Sequence, residues 1–259
     1  MKQNLKHLKK PVRMATCNIL FDGEKPSRAG SWKERRPRLT ELIGGIKPDI
    51  LATQEGWQDQ LQDLDHHLKQ LDLVGEHRVW TQKMFPCLYI NRDRFEVVDS
   101  RDRWLSETPE TPDSLSFGSK WPKLCTLALV RDRQHDENEF VVGSFHLDNV
   151  SEKARPEQAR VLLEQTKAFA QGKPHVLMGD ANEPPDQKSL QLLTSTMLDV
   201  YGNTDAPPSF HGFGAIKCRI DYVLNCPAWE VGHRWTDQRE DDWYSDHHLV
   251  FADLMLRHL

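Results

Sequence analysis

Val176-Leu177-Met178-Gly179-Asp180-Ala181-Asn182-Glu183-Pro184 is the stretch on which the fold turns. An apolar run ends in Gly, offers a carboxylate and an amide two residues apart, and is stopped by Pro. A short apolar run bounded by turn residues predicts a buried central strand. Alternation of side chains along an extended chain then points Asp180 and Asn182 the same way, toward the rim of a sheet. Gly-Asp-x-Asn is also a common turn sequence, and taken alone the stretch reads as one. The other strand ends of the chain give it a functional reading.

Working outward, Val12 to Leu20 alternates, with Val12, Met14, Thr16 and Asn18 on one face and Arg13, Ala15, Cys17 and Ile19 on the other. This predicts a strand ending at Asn18. Ser31-Trp32-Lys33-Glu34 has the form of a capping box, and Leu39, Leu42, Ile43 and Ile46 carry the helix to about Lys47. Ile50 to Glu55 is the next strand. Leu61, Leu64, Leu68 and Leu71 predict a helix over 57–70. Strands follow at 74–75, 87–91, 95–104 and 124–130, with a long Pro/Ser/Thr-rich loop at 106–122, a length often tied to function. Phe140 to Asp148 reads as a strand, Ser151 as the N-cap of a helix to about Gln171, and 189–193 as helical. The last strands are 219–224 and 249–256. The order is βα, then successive strands, then βα again, which suits an α/β architecture of mixed sheets. No repeat or linker divides residues 1–259, so one domain is expected, with 1–10 as a solvated arm.

The chain has 259 residues and a net charge of −5, which opposes non-specific coating of duplex nucleic acid. A bound cation and a local basic patch still allow phosphate chemistry. The five Cys are widely spaced with no Cys-x-x-Cys pair. They predict reduced thiols in a cytoplasmic protein rather than disulfides or a zinc site. No run approaches a membrane span of about 20 apolar residues, and no obligate protein partner is evident.

Six places share one grammar, an apolar strand ending in a residue able to bind metal or phosphate. They are Asn18, Glu55, His146 (with Asp148), Asp180 with Asn182, Asp221, and Asp246-His247. Oxygen ligands without a Cys cluster suit Mg²⁺, with Mn²⁺ as a substitute, and Glu55 is the first choice of ligand with Asn18 and Asp246 next. Amides and imidazoles suit phosphate oxygens, and a carboxylate suits orienting water. Each residue also has a plain reading: a strand end for Asn18 and Glu55, a core histidine for His146, a salt-bridge partner for Asp221, a helix cap for Asp148 and a surface helix position for Arg35. Trp121, Trp243 and Tyr244 lie near rim loops, where they either pack or stack on a base or sugar.

These stretches resemble the endonuclease/exonuclease/phosphatase superfamily, with its deoxyribonuclease-I-like fold. The matching segments are Thr16-Cys17-Asn18, Pro48-Asp49-Ile50 through Gln54-Glu55, Ser144 to Asp148, Gly179 to Asn182, Arg219 to Tyr222, and Ser245-Asp246-His247. They occur in the family's order over nearly the whole chain. The resemblance implies a four-layer α/β/β/α sandwich of two mixed sheets with helices outside. It implies metal at Glu55, Asn18 and Asp246, and water orientation by Asp180. Phosphate contacts would come from Asn18, Asn182, His146 and His247, with His247 oriented by Asp221. Ser31-Trp32-x-x-Arg35, 104–109 and Ser209 to Phe213 further resemble a bacterial subgroup, from which the chain departs at 75–90.

The implied function is metal-dependent hydrolysis of a phosphate ester, of phosphodiesterase or nuclease type, with a nucleotide or single-stranded nucleic acid as substrate. The alternatives are a phosphomonoesterase on a small metabolite, a non-catalytic binding protein on the same fold, and a zinc hydrolase built on His146 to Asp148.

Overall fold

Strand β1 (Val12–Asn18) alternates as the sequence predicts, and both of its faces are covered. Val12 and Met14 join one apolar cluster, and Ala15, Cys17 and Ile19 another. That two-sided burial needs four layers, and they are present. The computed structural model describes residues 10–257 except 76, 77, 79, 81–83, 136, 137 and 203. Part of the 75–90 segment and most of the N-terminal arm therefore lie outside the described residues.

The chain runs β1, α1 (Trp32–Ile46), β2 (Ile50–Gly56), α2 (Gln58–His67), β3 (Leu71–Leu73), β4 (Phe85–Asn91), β5 (Phe95–Trp104), β6 (Leu124–Asp132) and β7 (Asn138–His146). It continues through α3 (Ala154–Ala170), β8 (His175–Asp180), α4 (Lys188–Thr194), β9 (Leu198–Asp199), β10 (Asp221–Asn225), β11 (Trp229–Thr236) and β12 (Val250–Leu256). One six-stranded sheet has the order β11-β12-β1-β2-β4-β3 and the other β5-β6-β7-β8-β10-β9. The sheets share a pattern. A parallel pair, β1-β2 or β7-β8, sits at the centre with antiparallel strands on both sides.

Parallel neighbours need a crossover. Helix α1 supplies it in one sheet and α3 in the other. Met14, Ile50, Ala52, Leu88, Val130, Val142, Val176 and Met178 fill the space between the sheets. Leu39, Ile43, Leu61 and Leu64 cover the outer face of the first sheet, and Ala159, Leu162, Leu190 and Leu193 that of the second. All five cysteines are free. No helix among the described residues is long and apolar enough to cross a membrane.

Several expectations need correction. Helix α2 stops at His67 and Leu71 opens β3, so the Leu61-64-68-71 spacing crosses a helix end; 74–75 lies just beyond that strand. Ser151 stands ahead of α3, whose N-cap is Lys153, and the Ser151 Oγ accepts the Ala154 N–H at 3.2 Å. Edge strand β11 has no counterpart in the reading of the sequence. Arg35, read as a surface residue, is fully buried.

Candidate active site

The strand pattern gathers the six places. Parallel pairing brings the carboxyl ends of β1 and β2 together, with Asn18 opposite Gln54 and Glu55 one residue on. The same holds for β7 and β8, where His146 pairs with Asp180. Strand β10 is antiparallel, so its first residue, Asp221, faces Asp180. Strand β12 is antiparallel to β1 and its start pairs with Thr16, so Asp246 and His247 arrive beside Asn18. Ser245 fixes that approach by donating to the Asn18 carbonyl at 2.6 Å.

Asp180 is the hub. Asn18 Nδ2 donates to its Oδ2 at 3.1 Å across the two sheets, and the Asn182 N–H donates to its Oδ1 at 2.8 Å. The Nε2 atoms of His146 and His247 lie 3.7 and 3.8 Å from Oδ2. His247 Nδ1 meets Asp221 Oδ2 at 2.8 Å, the expected imidazole–carboxylate pair. Ser209 Oγ accepts the N–H groups of Ile220 and Asp221 at 3.0 and 2.9 Å and holds the start of β10.

Charge is crowded here. Burial, then the Asp221 charge, raises Asp180 above the ordinary carboxylate range, against the hydrogen bonds that favour its anion. Burial opposes a charge on His247, but Asp221, Asp180 and Asp246 outweigh it and raise that imidazole. Burial, then Lys123 and His247, hold His146 well below its usual value, so it is neutral.

Asn182 is not extended. Its φ of 52° is left-handed, so the alternation that was to align it with Asp180 ends at the strand terminus. One amide hydrogen is spent on the Leu147 carbonyl at 3.0 Å, and the turn reading and the site reading both apply to this residue. Glu55 also has a left-handed backbone, φ 65°, where the register between β2 and β4 shifts. A bulge of this kind re-aims a side chain next to a site. No hydrogen bond engages the Glu55 carboxylate among the described residues, which fits an oxygen ligand held open for a cation. Asn18 Oδ1, by contrast, already accepts the Leu20 N–H at 3.0 Å. The tightest knot of ligand-type atoms among the described residues is Asp180, Asp221 and His247, within 4.8 Å of one another. His247 engages Asp221 through Oδ2, and Asp221 Oδ1 is buried without a partner.

Three further residues shape the site without standing out among its motifs. Lys123, at the mouth of β6, places Nζ 3.4 Å from His146 Nε2. Burial lowers its pKa, against the raising influence of Glu55, Asp180 and Asp148. Arg35 donates to the carbonyls of Ile19, Leu20 and Tyr244 at 2.6, 2.9 and 3.0 Å, tying the end of β1 to the segment that carries His247. Its signal was present, since Arg35 shares a helix face with Trp32, Leu39 and Ile43. Gln54 Nε2 donates to Thr16 Oγ1 and Ser144 Oγ, both at 3.1 Å, and clasps the sheets beneath the site. Asp148 does not cap α3, whose N-cap is Lys153, but holds the turn ahead of it. It accepts from Val150 and Ser151 N–H at 2.7 and 2.6 Å and from the Ser119 hydroxyl. Tyr244 is buried and bonded to Asp237, which removes it as a stacking surface, while Trp121 is exposed.

The geometry agrees with known proteins. An endonuclease/exonuclease/phosphatase from Bacteroides vulgatus superposes with a TM-score of 0.89 at 27% identity, over 96% of this chain and all of that one. A mannosyl-6-phosphatase from Bacteroides thetaiotaomicron superposes with a TM-score of 0.84 at 25% identity, over 95% of this chain and all of that one. Protein angel of Drosophila melanogaster is 26% identical over 191 residues, which are 70% of this chain and 52% of that protein; the chain thus spans about half of that relative's length. The family model described as Endonuclease/Exonuclease/phosphatase family matches residues 15–247, from β1 to His247. The chain belongs to the endonuclease/exonuclease/phosphatase family.

Proposed function

We propose that the protein is a divalent-metal-dependent hydrolase of phosphate esters working by in-line attack of water, with Mg²⁺ as the ion. The observation that carries this is the convergence of Asn18, His146 and His247 on Asp180. Glu55, with Asn18 and Asp246, would hold the ion, which when bound supplies positive charge to the phosphate and acidifies water.

Asp180 accepts the proton of the attacking water. Its two oxygens are fixed by different donors, Asn18 on one and the Asn182 amide on the other, so the carboxylate cannot rotate freely. The free N–H of the Asn182 side chain and the His146 ring contact non-bridging oxygens. His247, oriented through Nδ1 by Asp221, presents Nε2 to the charge that develops on phosphorus. Donors fixed in advance in a water-poor site are worth more there than in water.

Support for a phosphomonoesterase comes from the mannosyl-6-phosphatase likeness at 25% identity, and a nucleotide or single-stranded nucleic acid is the substrate on the diesterase reading. Both use the same machinery. The test is hydrolysis of bis(p-nitrophenyl) phosphate and p-nitrophenyl phosphate with Mg²⁺, Mn²⁺ or chelator. Turnover should vanish with chelator and return with Mg²⁺. Glu55→Gln should raise the Mg²⁺ concentration for half-maximal rate at least about tenfold. A rate indifferent to chelator, or no turnover of either ester, overturns the proposal.

A further inference from the structure

A second cluster stands beside the first on the same rim. Asp246 and His247 face the catalytic groups, and the residues that hold them continue into an aromatic shelf. The His211 N–H donates to the Asp246 carbonyl at 3.0 Å, and the Phe210 ring lies 4.8 Å from that of His247. Beyond them, His211 stacks on Trp243 at 5.3 Å, and Phe213 meets Trp243 at 5.6 Å.

The shelf is built at a conformational cost. Gly212, Phe213 and Gly214 have φ of 49°, 59° and 85°. Two of them are glycines, which take this region freely, but Phe213 is not, and a bulky residue there is strained. Such strain persists where the surroundings enforce it and concentrates at functional loops. The His211 ring helps to enforce it by accepting the Phe213 N–H at 3.1 Å.

Arg28 completes the arrangement. Its guanidinium carbon lies 5.9 Å from both the Phe213 and the Trp243 ring centres. It is exposed and has neither a hydrogen bond nor an ion pair among the described residues. Its turn is held by Ser27, whose hydroxyl donates to the Gly30 carbonyl at 2.9 Å. Next to the shelf lies a cavity of about 260 Å³ lined by His211, Lys217, Arg239, Trp243 and His248. His248 is 5% exposed, and its Nδ1 has no partner.

We propose that this shelf is the subsite for a nucleobase of the substrate, the ring stacking on Trp243 and Phe213 beneath Arg28. A flat π-face with a cation above it suits any base. Lys217 and Arg239, the latter paired with Asp237 at 2.6 Å, line the adjoining cavity, and His248 Nδ1 offers a polar atom for the base edge. The proposal rests on the hydrolase reading and narrows it to nucleotides.

The test compares kcat/KM for adenosine monophosphate and the diester ApA with that for mannose 6-phosphate and for ring-free glycerol phosphate and glycerophosphoethanolamine. It uses the whole protein and the variants Trp243→Ala and Arg28→Gln. Arg28 is exposed, so its variant keeps the fold if Trp243→Ala does not. The nucleotide-over-ring-free ratio should fall about tenfold in each, and quenching of tryptophan fluorescence by adenosine monophosphate should weaken in parallel for Arg28→Gln. An unchanged ratio in both variants overturns the shelf, as does a loss confined to mannose 6-phosphate, which would make the ring a sugar. Wild-type binding of adenosine monophosphate that Arg28→Gln weakens, without turnover of any ester, sinks the hydrolase reading and leaves the shelf.

Discussion

Asp180 gains its position from neighbours that are distant in sequence, and the same is true of the charges around it. Lys123 is the one of these that sequence reading could not see, because a lone Lys before an apolar strand looks like a boundary residue. Its amine sits against the neutral His146 ring and faces Glu55, Asp180 and Asp148. Replacing it with Met removes a half-buried cation from an acidic site, so kcat should drop at least about tenfold, with partial recovery in Lys123→Arg. Steady-state rates of the two variants check this.

Asp148 supports the site through stability. Burial raises its pKa, but the Ser119 hydroxyl and the Ser151 and Val150 amides outweigh it, and the net value is lowered. A lowered folded pKa means a contribution fully present above the unfolded value of about 3.9 and lost as pH falls through the folded one. Urea midpoints of wild type and Asp148→Asn should lie closer together at pH 3 than at pH 7, the variant being less stable at pH 7.

At the level of elements, close pairing of β7 and β8 makes the site. A Cβ on Gly179 would lie 2.0 Å from the Phe145 carbonyl oxygen, one position before the His146–Asp180 pair. The contact is backbone and cannot step aside. Gly179→Ala should therefore destabilise by about 1–3 kcal/mol or more and displace Asp180, so both melting temperature and rate fall. Helix α1 acts through Arg35, whose guanidinium binds carbonyls of the β1 end and of the segment before His247. Arg35→Met leaves those buried acceptors unpaired, at a cost of at least about 2 kcal/mol. Chemical denaturation measures it, and an unchanged midpoint would contradict the linking role.

Over the whole molecule, the four layers are what the family resemblance implies, and the rim is legible because central strands must be apolar on both faces. Their ends then stand out as the first polar residues, as at Asn18, Glu55, His146 and Asp180. Strand β11 escaped because it is an edge, half exposed, with Gly232-His233-Arg234 interrupting its alternation and a register shift between Val231 and Arg234. The left-handed backbone of Asn182 is the turn that Gly-Asp-x-Asn signals, whereas that of Glu55 sits at the register shift between β2 and β4, which spacing along the chain does not encode. The burial of Arg35 is legible only from the helix face it shares with Trp32, Leu39 and Ile43; its charge alone reads as a solvated position. On the proposed reading, six strand ends form one hydrolytic site with Asp180 as its water-orienting group. The most direct test of that reading is kcat of Asp180→Asn on bis(p-nitrophenyl) phosphate at saturating Mg²⁺, with the circular dichroism spectrum confirming the fold. The account predicts a fall of at least about a hundredfold; a folded variant that turns over at the wild-type rate would contradict it.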